Sequence, residues 1–477
     1  WYSKQKMKVY YICLSFILSL CSSCRTKNIE ISNSEKDLIP TQWSADLRSL
    51  SFNDNTTYWA NTFNIPSLTR LIKTANVQNP KLIAMYERVI AKGEDATIAG
   101  ARLLPTANAN LIGVRNKRNL IGFNFPNSES SFTSNSFNSG INISWELDLW
   151  GKVKDSRNSA KRRFESSLSD YRAARLSLNG QVAKAWFNLV ENSFQTRLLE
   201  KTIETYSKNL SFINDRYQKG LATALEQKLA EASFLSSQAS LVQRQRLANN
   251  FSQSLQELIG QYPDGNFDLN SSSMLPALIL PPLPPTPSDV VESRHDLTSA
   301  LLKVKSSGLD LKVANKSLLP SLTLSGGPGS RSDNFEDLID QKFRIWDISA
   351  AVSQPIFQGG RLRANVRKAK ALQESAISDF KAVVLRAFSE VENTLSSDMY
   401  LAKEGDNLRK AATALTKAAD LSWERYQRGV IDIFNTLDTR RRAFEAESRF
   451  LLLKKERILN RINLYLAIGM EAIEPES

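Results

Sequence analysis

The stretch Arg216-Tyr217-Gln218-Lys219-Gly220, RYQKG, returns almost unchanged as Arg425-Tyr426-Gln427-Arg428-Gly429, RYQRG. Five residues written twice would mean little alone, but their surroundings recur at the same offset. Gly151-Lys152 and Gly360-Arg361 each close an apolar stretch and open a long, charged, alanine-bearing run. Leu103-Leu104-Pro105 is echoed by Leu318-Leu319-Pro320 at a slightly longer spacing. A supersecondary unit has been copied whole, so the chain reads as two versions of one architecture. Each version runs helix, strand, polar loop, strand, long helix, RYQ(K/R)G reversal and return helix, with the glycine supplying the positive φ that ends a helix.

The first repeat is expected over 67–273 and the second over 289–470, with an extended segment at 25–66 before them and a tail at 471–477. The opening helix of the first spans about Ser67 to Leu104 and breaks at Asn79-Pro80, where proline removes a backbone donor. Between the repeats, 274–288 carries Pro276, Pro281, Pro282, Pro284, Pro285 and Pro287, a composition that favours a stiff polyproline strap.

From Ser139 to Leu149, Ile141, Ile143, Trp145, Leu147 and Leu149 alternate with Asn142, Ser144, Glu146 and Asp148, the period of a strand with one apolar face. Ile348, Ala350 and Val352 keep the same phase in the second copy. Further strands are expected near Thr106 to Val114 and Ser321 to Gly327. Four strands of this length suit a membrane but cannot close a barrel alone, and open edges in lipid stay unpaired. The pattern therefore predicts several chains sharing one barrel, while a small soluble sheet with one wet face would show the same alternation.

From Val153 to Asn214 there is no proline and a single Gly180, so a helix of about 90 Å is open to the chain. After Gly360, Leu362, Val366, Ala369, Ala376, Phe380, Val383, Ala387 and Val391 recur at coiled-coil spacings. Return helices are expected over about Ala222 to Leu258 and Ile431 to Ile468. Basic residues crowd the start of each long helix, with Lys152, Lys154, Arg157, Lys161, Arg162 and Arg163 in one copy and Arg361, Arg363, Arg367, Lys368 and Lys370 in the other. They read either as a belt pairing with lipid phosphates or as a solvated helix face.

At the start, Lys4, Lys6 and Lys8 lead into the apolar run Val9 to Leu20, the form of a secretory signal over 1–24 beginning at Met7. Cys21-Ser22-Ser23-Cys24 resembles a bacterial lipobox, so Cys24 is a lipidation candidate, with a plain cleaved signal as the alternative. All three cysteines lie in this stretch, which leaves no pair for an internal disulfide. The net charge of +13 suits anionic headgroups better than nucleic acid, which an exported protein rarely meets.

These features resemble the outer membrane factor family, the TolC- and OprM-like channel subunits and their NodT-type lipoprotein members. The marks are Asn79-Pro80-Lys81-Leu82 ahead of Leu103-Leu104-Pro105, Trp145 to Trp150 running into Gly151-Lys152-Val153, Ser288 to Leu297 after the proline strap, and the paired RY-x-x-G reversals. The resemblance implies a mainly α protein with a transmembrane β-barrel. In it four strands per chain enter one homotrimeric barrel, continued by long coiled-coil-like hairpins that form a periplasmic tunnel. It also implies an outer-membrane location, docking on a periplasmic adaptor and an inner membrane pump of RND type, and export of drugs or other small toxic molecules. Arg425 and Tyr426 would then hold the inner hairpin to its neighbours by hydrogen bonds. Asn435 and Asp438, aided by Asp432 on the same helix face, would line a periplasmic gate. Gly220, Leu221, Gly429 and Val430 would offer the adaptor a groove. Two departures stand out: Ser293-Arg294-His295 replaces a more common Arg-Arg-Pro, and Asn435 stands where similar proteins carry an acid.

Catalytic constellations are largely absent. His295 is the only histidine, and neither a glycine-rich phosphate loop nor His-Glu-x-x-His occurs. No cofactor is implied, and five methionines with one histidine offer no soft-metal relay. The leading reading is a passive tripartite-efflux duct. A type I secretion exit duct of the same fold, a structural coiled-coil envelope lipoprotein and an envelope hydrolase remain as alternatives. Alternating strands separate a duct from a scaffold, which needs no barrel.

Overall fold

The computed structural model describes residues 40–44, 58–119, 131–269, 275–276, 282 and 284–474. The expected signal peptide, Cys24, most of the extended segment and parts of the proline strap, including Pro281, lie outside the described residues. Residues 1–41 form a separate unit, of which Pro40 and Thr41 alone are described; every helix and strand among the described residues belongs to the unit Gln42–Ser477.

Two short helices, α1 (Trp59–Thr62) and α2 (Pro66–Gln78), precede α3 (Pro80–Ala101). The expected break falls at Asn79, whose side chain accepts from the Leu82 amide at 3.0 Å and donates to the Leu258 carbonyl at 2.9 Å. Strands β1 (Thr106–Asn119) and β2 (Ser131–Leu147) follow, then α4 (Lys152–Gln218) and α5 (Ala224–Leu258). The order recurs as α6 (Pro287–Ser293), α7 (His295–Lys316), β3 (Ser321–Ser332), β4 (Arg344–Ser353), α8 (Arg361–Gln427) and α9 (Ile433–Ala467). Both long helices have 67 residues, about 100 Å at 1.5 Å per residue, and both return helices have 35.

The four strands form one antiparallel sheet in the order β1-β2-β3-β4. They exceed the expected lengths: β2 begins at Ser131 instead of Ser139, and Leu149 falls in the turn beyond it. Polar residues such as Asn135 and Ser136 carry the ladder on because they still pair with Arg115 and Val114 of β1, so side-chain alternation understates the pairing. The β2–β3 ladder is interrupted between Gly140↔Gly329 and Ile143↔Gly326, across Gly327 and Pro328, where proline has no donor, and resumes in the same register. At that step the strands approach so closely that a Cβ on Gly327 would lie 1.8 Å from the Ile141 carbonyl oxygen.

The main core sits midway along α4. Val182, Trp186, Phe187 and Val190 pack there against Trp59, Phe63, Ile72, Leu255, Ile462 and Tyr465, with Trp59 stacked on Tyr465 at 6.0 Å. Backbone bonds from Trp59 and Ala60 to the Glu471 and Ala472 carbonyls tie α1 to the segment after α9. On α8 the expected seam holds its phase: Ala387 and Val391 are buried and Leu362, Val366 and Phe380 half-buried, though Val384 goes deeper than Val383. Among the described residues no helix is long and apolar enough to cross a membrane.

Gly327→Ala should cost about 3 kcal/mol, because its Cβ would meet backbone that cannot move aside. Thermal circular dichroism should show the β signal lost earlier. Gly405→Ala, whose Cβ meets only the end of Leu453 at 3.1 Å, should melt at the same temperature or higher.

Candidate functional site

At the sheet end, register sorts the side chains into two faces. Ala107, Ala109 and Leu111 of β1 lie beside Ile141, Ile143, Trp145 and Leu147 of β2, then Leu322 and Leu324 of β3, then Trp346, Ile348, Ala350 and Val352 of β4. The opposite face carries Asn108, Asn110, Asn142, Ser144, Glu146, Thr323, Ser325, Asp347 and Ser349. Among the described residues nothing covers the apolar face, with Trp346 77% and Ile348 82% exposed. An uncovered apolar face of this extent suits lipid, where burial is favourable at about 25 cal/mol per Å².

The strand-to-helix junction is held by side chains from the Trp145–Trp150 stretch. The Trp145 indole donates to the Leu103 carbonyl at 2.9 Å, and the Trp150 indole to the Pro320 carbonyl at 2.6 Å, so one turn grips both Leu-Leu-Pro corners. Asp148 caps α4 by accepting from the Val153 and Lys154 amides. Gly151 and Gly360, at φ +69° and +80°, let the chain turn from strand into helix.

The expected basic belt divides here. Lys152 is not free for phosphate: it pairs with Glu146 at 2.5 Å. Arg162 and Arg163 pair with Glu165 and Asp310. Lys154, Arg363, Arg367 and Lys368 are exposed, as is Arg361, which bonds Gln358.

At the far end of each long helix, Leu221 N bonds Arg216 O at 2.8 Å and Val430 N bonds Arg425 O at 2.9 Å, around Gly220 and Gly429 at φ +71° and +77°. The two reversals thus share one C-cap geometry. Nothing lies within 4 Å of a Cβ on either glycine, and the neighbouring Leu221 and Val430 are 63% and 66% exposed.

Asp432 meets Asn435, as the spacing suggested, but from just ahead of the helix and not from within it. It is the N-cap of α9, and its carboxylate accepts from the Asn435 amide and side chain, both at 2.8 Å. Asp438 is held by Arg441 and Arg442, each at 2.7 Å. The Arg441 hydrogen bond, outweighing burial and aided by Arg442, holds its carboxyl below the usual range. Sequence reasoning passed over these arginines, although their i+3 and i+4 spacing from Asp438 marks such pairs.

Tyr426 is 3% exposed, its ring against Phe212 and Trp423 and beneath the Arg216 guanidinium at 5.7 Å. Its hydroxyl has no hydrogen-bond partner among the described residues. Burial first, then the nearby Glu226 carboxylate, push its pKa up. Within the chain Tyr426 is a packing residue of the cluster with Phe212 and Trp423, and Arg425 is exposed.

The family model for outer membrane efflux proteins matches residues 71–261 and 286–470. The chain belongs to this family and is an outer membrane channel subunit of an efflux system. Among its relatives, it is 28% identical over 426 residues to the pyoverdine export outer membrane protein OpmQ of Pseudomonas putida, covering 86% of this chain and 87% of that one. It is 24% identical over 471 residues to the probable outer membrane lipoprotein SilC of Salmonella typhimurium, covering 97% and 98%. The crystal structure of a membrane protein from Pseudomonas aeruginosa superposes with a TM-score of 0.85 at 26% identity, over 94% of this chain and all of that one.

Two outcomes are expected at the tip. Tyr426→Phe should leave the thermal midpoint unchanged or slightly higher, since it removes only a buried unpaired hydroxyl, whereas Phe212→Ala should cost about 3 kcal/mol. The depressed Asp438 carboxyl keeps its pairing above the ordinary aspartate value and loses it only as pH falls through the lower folded value. Carboxyl NMR should accordingly find a midpoint below that of a free aspartate, and Arg441→Gln with Arg442→Gln should return it.

Proposed function

We propose that the protein is the trimeric, lipid-anchored outer duct of a three-part pump, docking through its helical tip on a periplasmic adaptor that serves an RND-type inner membrane pump. The observation that carries this reading is the open sheet: one face apolar, the other polar, with the β1 and β4 edges unpaired among the described residues. Sheet edges left unpaired in hydrocarbon cost several kcal/mol per group, and three copies closing a twelve-stranded barrel remove them. The polar face then lines a pore, and the long helices carry that pore away from the membrane. Lipidation at Cys24 agrees with the name of the relative SilC, an outer membrane lipoprotein. Export of small molecules agrees with the name of OpmQ. The exposed Leu221 and Val430 beside the two open glycines form the surface offered to the adaptor, and Lys154 and Arg363 the surface offered to lipid phosphates.

The gate in this reading lies at the tip, with Asn435, Asp438 and the Tyr426 cluster as its parts and Asp432 and Arg425 at its margin. Because Arg441 and Arg442 sit on Asp438, the ring it contributes is largely neutralised. Planar-bilayer recordings test the whole reading, with mass measurement in mild detergent beside them. A conducting homotrimer is expected, and a stable monomer without conductance would overturn it. Divalent cations should block the unchanged channel weakly. Arg441→Gln with Arg442→Gln should strengthen the block, and adding Asp438→Asn should abolish that gain.

A further inference from the structure

Between α4, the start of α7, α8 and the end of α9 lies a cavity of about 490 Å³, within the range that takes a drug-sized molecule. Leu176, Ala173, Leu466 and Ala467 supply apolar wall, and Ser177, Asn393 and Asn463 supply polar edge. Its charges are unequally committed. Arg294 is largely committed, with four of its five N–H groups bonded: Nε and Nη2 hold Asp296 at 3.0 and 2.8 Å, while Nη1 holds Glu390 at 2.8 Å and the Ala467 carbonyl at 2.9 Å. That network also occupies both carboxylates. His295 turns its Nε2 to Glu471 at 3.4 Å. Lys184 is left, half-buried on α4, with no acceptor among the described residues.

A partly desolvated ammonium without a counter-charge is costly unless something supplies one. We infer that this cavity binds a small organic carboxylate, its apolar body against Leu176 and Leu466 and its charge on Lys184. Burial alone lowers the Lys184 pKa, as expected where no protein carboxylate compensates. The site stands apart from the sheet and from the tip, and needs neither a gate nor an adaptor.

The probe is 4-fluorobenzoate, titrated by ¹⁹F NMR into the detergent-solubilised full-length protein, with neutral 4-fluorobenzamide as its isostere. Saturable binding of the acid, with the amide at least about tenfold weaker, is expected. Lys184→Gln should weaken the acid about tenfold, and Lys184→Arg should restore it. As pH rises, binding to the unchanged protein should fail at lower pH than binding to Lys184→Arg, because burial lowers the lysine pKa while the arginine keeps its proton. The other charged or titratable groups facing the cavity are Arg294, His295 and Asp296 at the start of α7 and Glu390 on α8, and all are common to both proteins. If the amide binds as well as the acid, or Lys184→Gln binds the acid as tightly as the unchanged protein, Lys184 merely reaches water and the inference falls. Unchanged circular dichroism in each variant keeps a folding defect from imitating either result.

Discussion

An antiparallel sheet of four strands has two edges, and among the described residues nothing pairs with either one. In water such edges can be hydrated, but the sheet's apolar face turns it toward a medium where they cannot be. That conflict organises the molecule. It demands copies of the chain around a common axis, and the polar face then looks inward on a water-filled space. It also fixes where the helices begin, because each long helix starts within a few residues of the strand before it. The grip of Trp145 and Trp150 on the two Leu-Leu-Pro corners makes the sheet and the helix starts one rigid piece.

A helix of 67 residues cannot draw its position from one end alone. Packing at the Trp59–Tyr465 core fixes α4 near its middle, and the backbone bonds from α1 to the chain after α9 close that core. Between α8 and α9 the seam carries a buried pair, Arg461 and Asp398, at 3.4 Å, with Asn460 on the Thr394 carbonyl beside it. A buried ion pair is weak evidence of net stability, since desolvation consumes most of its attraction. Its better-attested use is register: sliding α9 by one residue would leave both charges buried and unpaired. Apolar seams tolerate such slips more easily than this one does.

Much of this was legible in the sequence because repetition and period are backbone properties. The helix break at Asn79, the reversals at Gly220 and Gly429 and the phase of the α8 seam all follow from residue type at fixed spacing. Strand lengths were less legible, since hydrogen bonding continues where alternation has faded, as from Ser131 to Ser136. The site was the least legible, because its charges are spoken for by neighbours. Spacing placed Asp432 with Asp438, but a carboxylate just ahead of a helix is drawn to the free amides of its first turn. Lys152 looked available for lipid until β2 brought Glu146 beside it. The pairing of Phe212 and Arg216 with Tyr426 gave no signal in the sequence, because their partner lies in the other repeat.

That last pairing explains why the chain keeps one phrase in two places. The backbones of the two reversals match, yet their side chains divide the work. In the first copy Tyr217 is exposed and Arg216 is drawn in, its Nη2 on the Leu221 carbonyl at 3.1 Å. In the second copy Arg425 is exposed and Tyr426 is buried. The arginine of one RYQ(K/R)G therefore lies over the tyrosine of the other, with Phe212 beneath the same guanidinium at 5.9 Å. A cation over an aromatic face is worth about 0.5–2 kcal/mol, more as water is excluded, and loses little as the rings slide by a fraction of an ångström. A hydrogen bond at the same place would be lost by such a shift. Two long hairpins are thus joined at their tips by a contact between the repeats that tolerates small shifts of either partner.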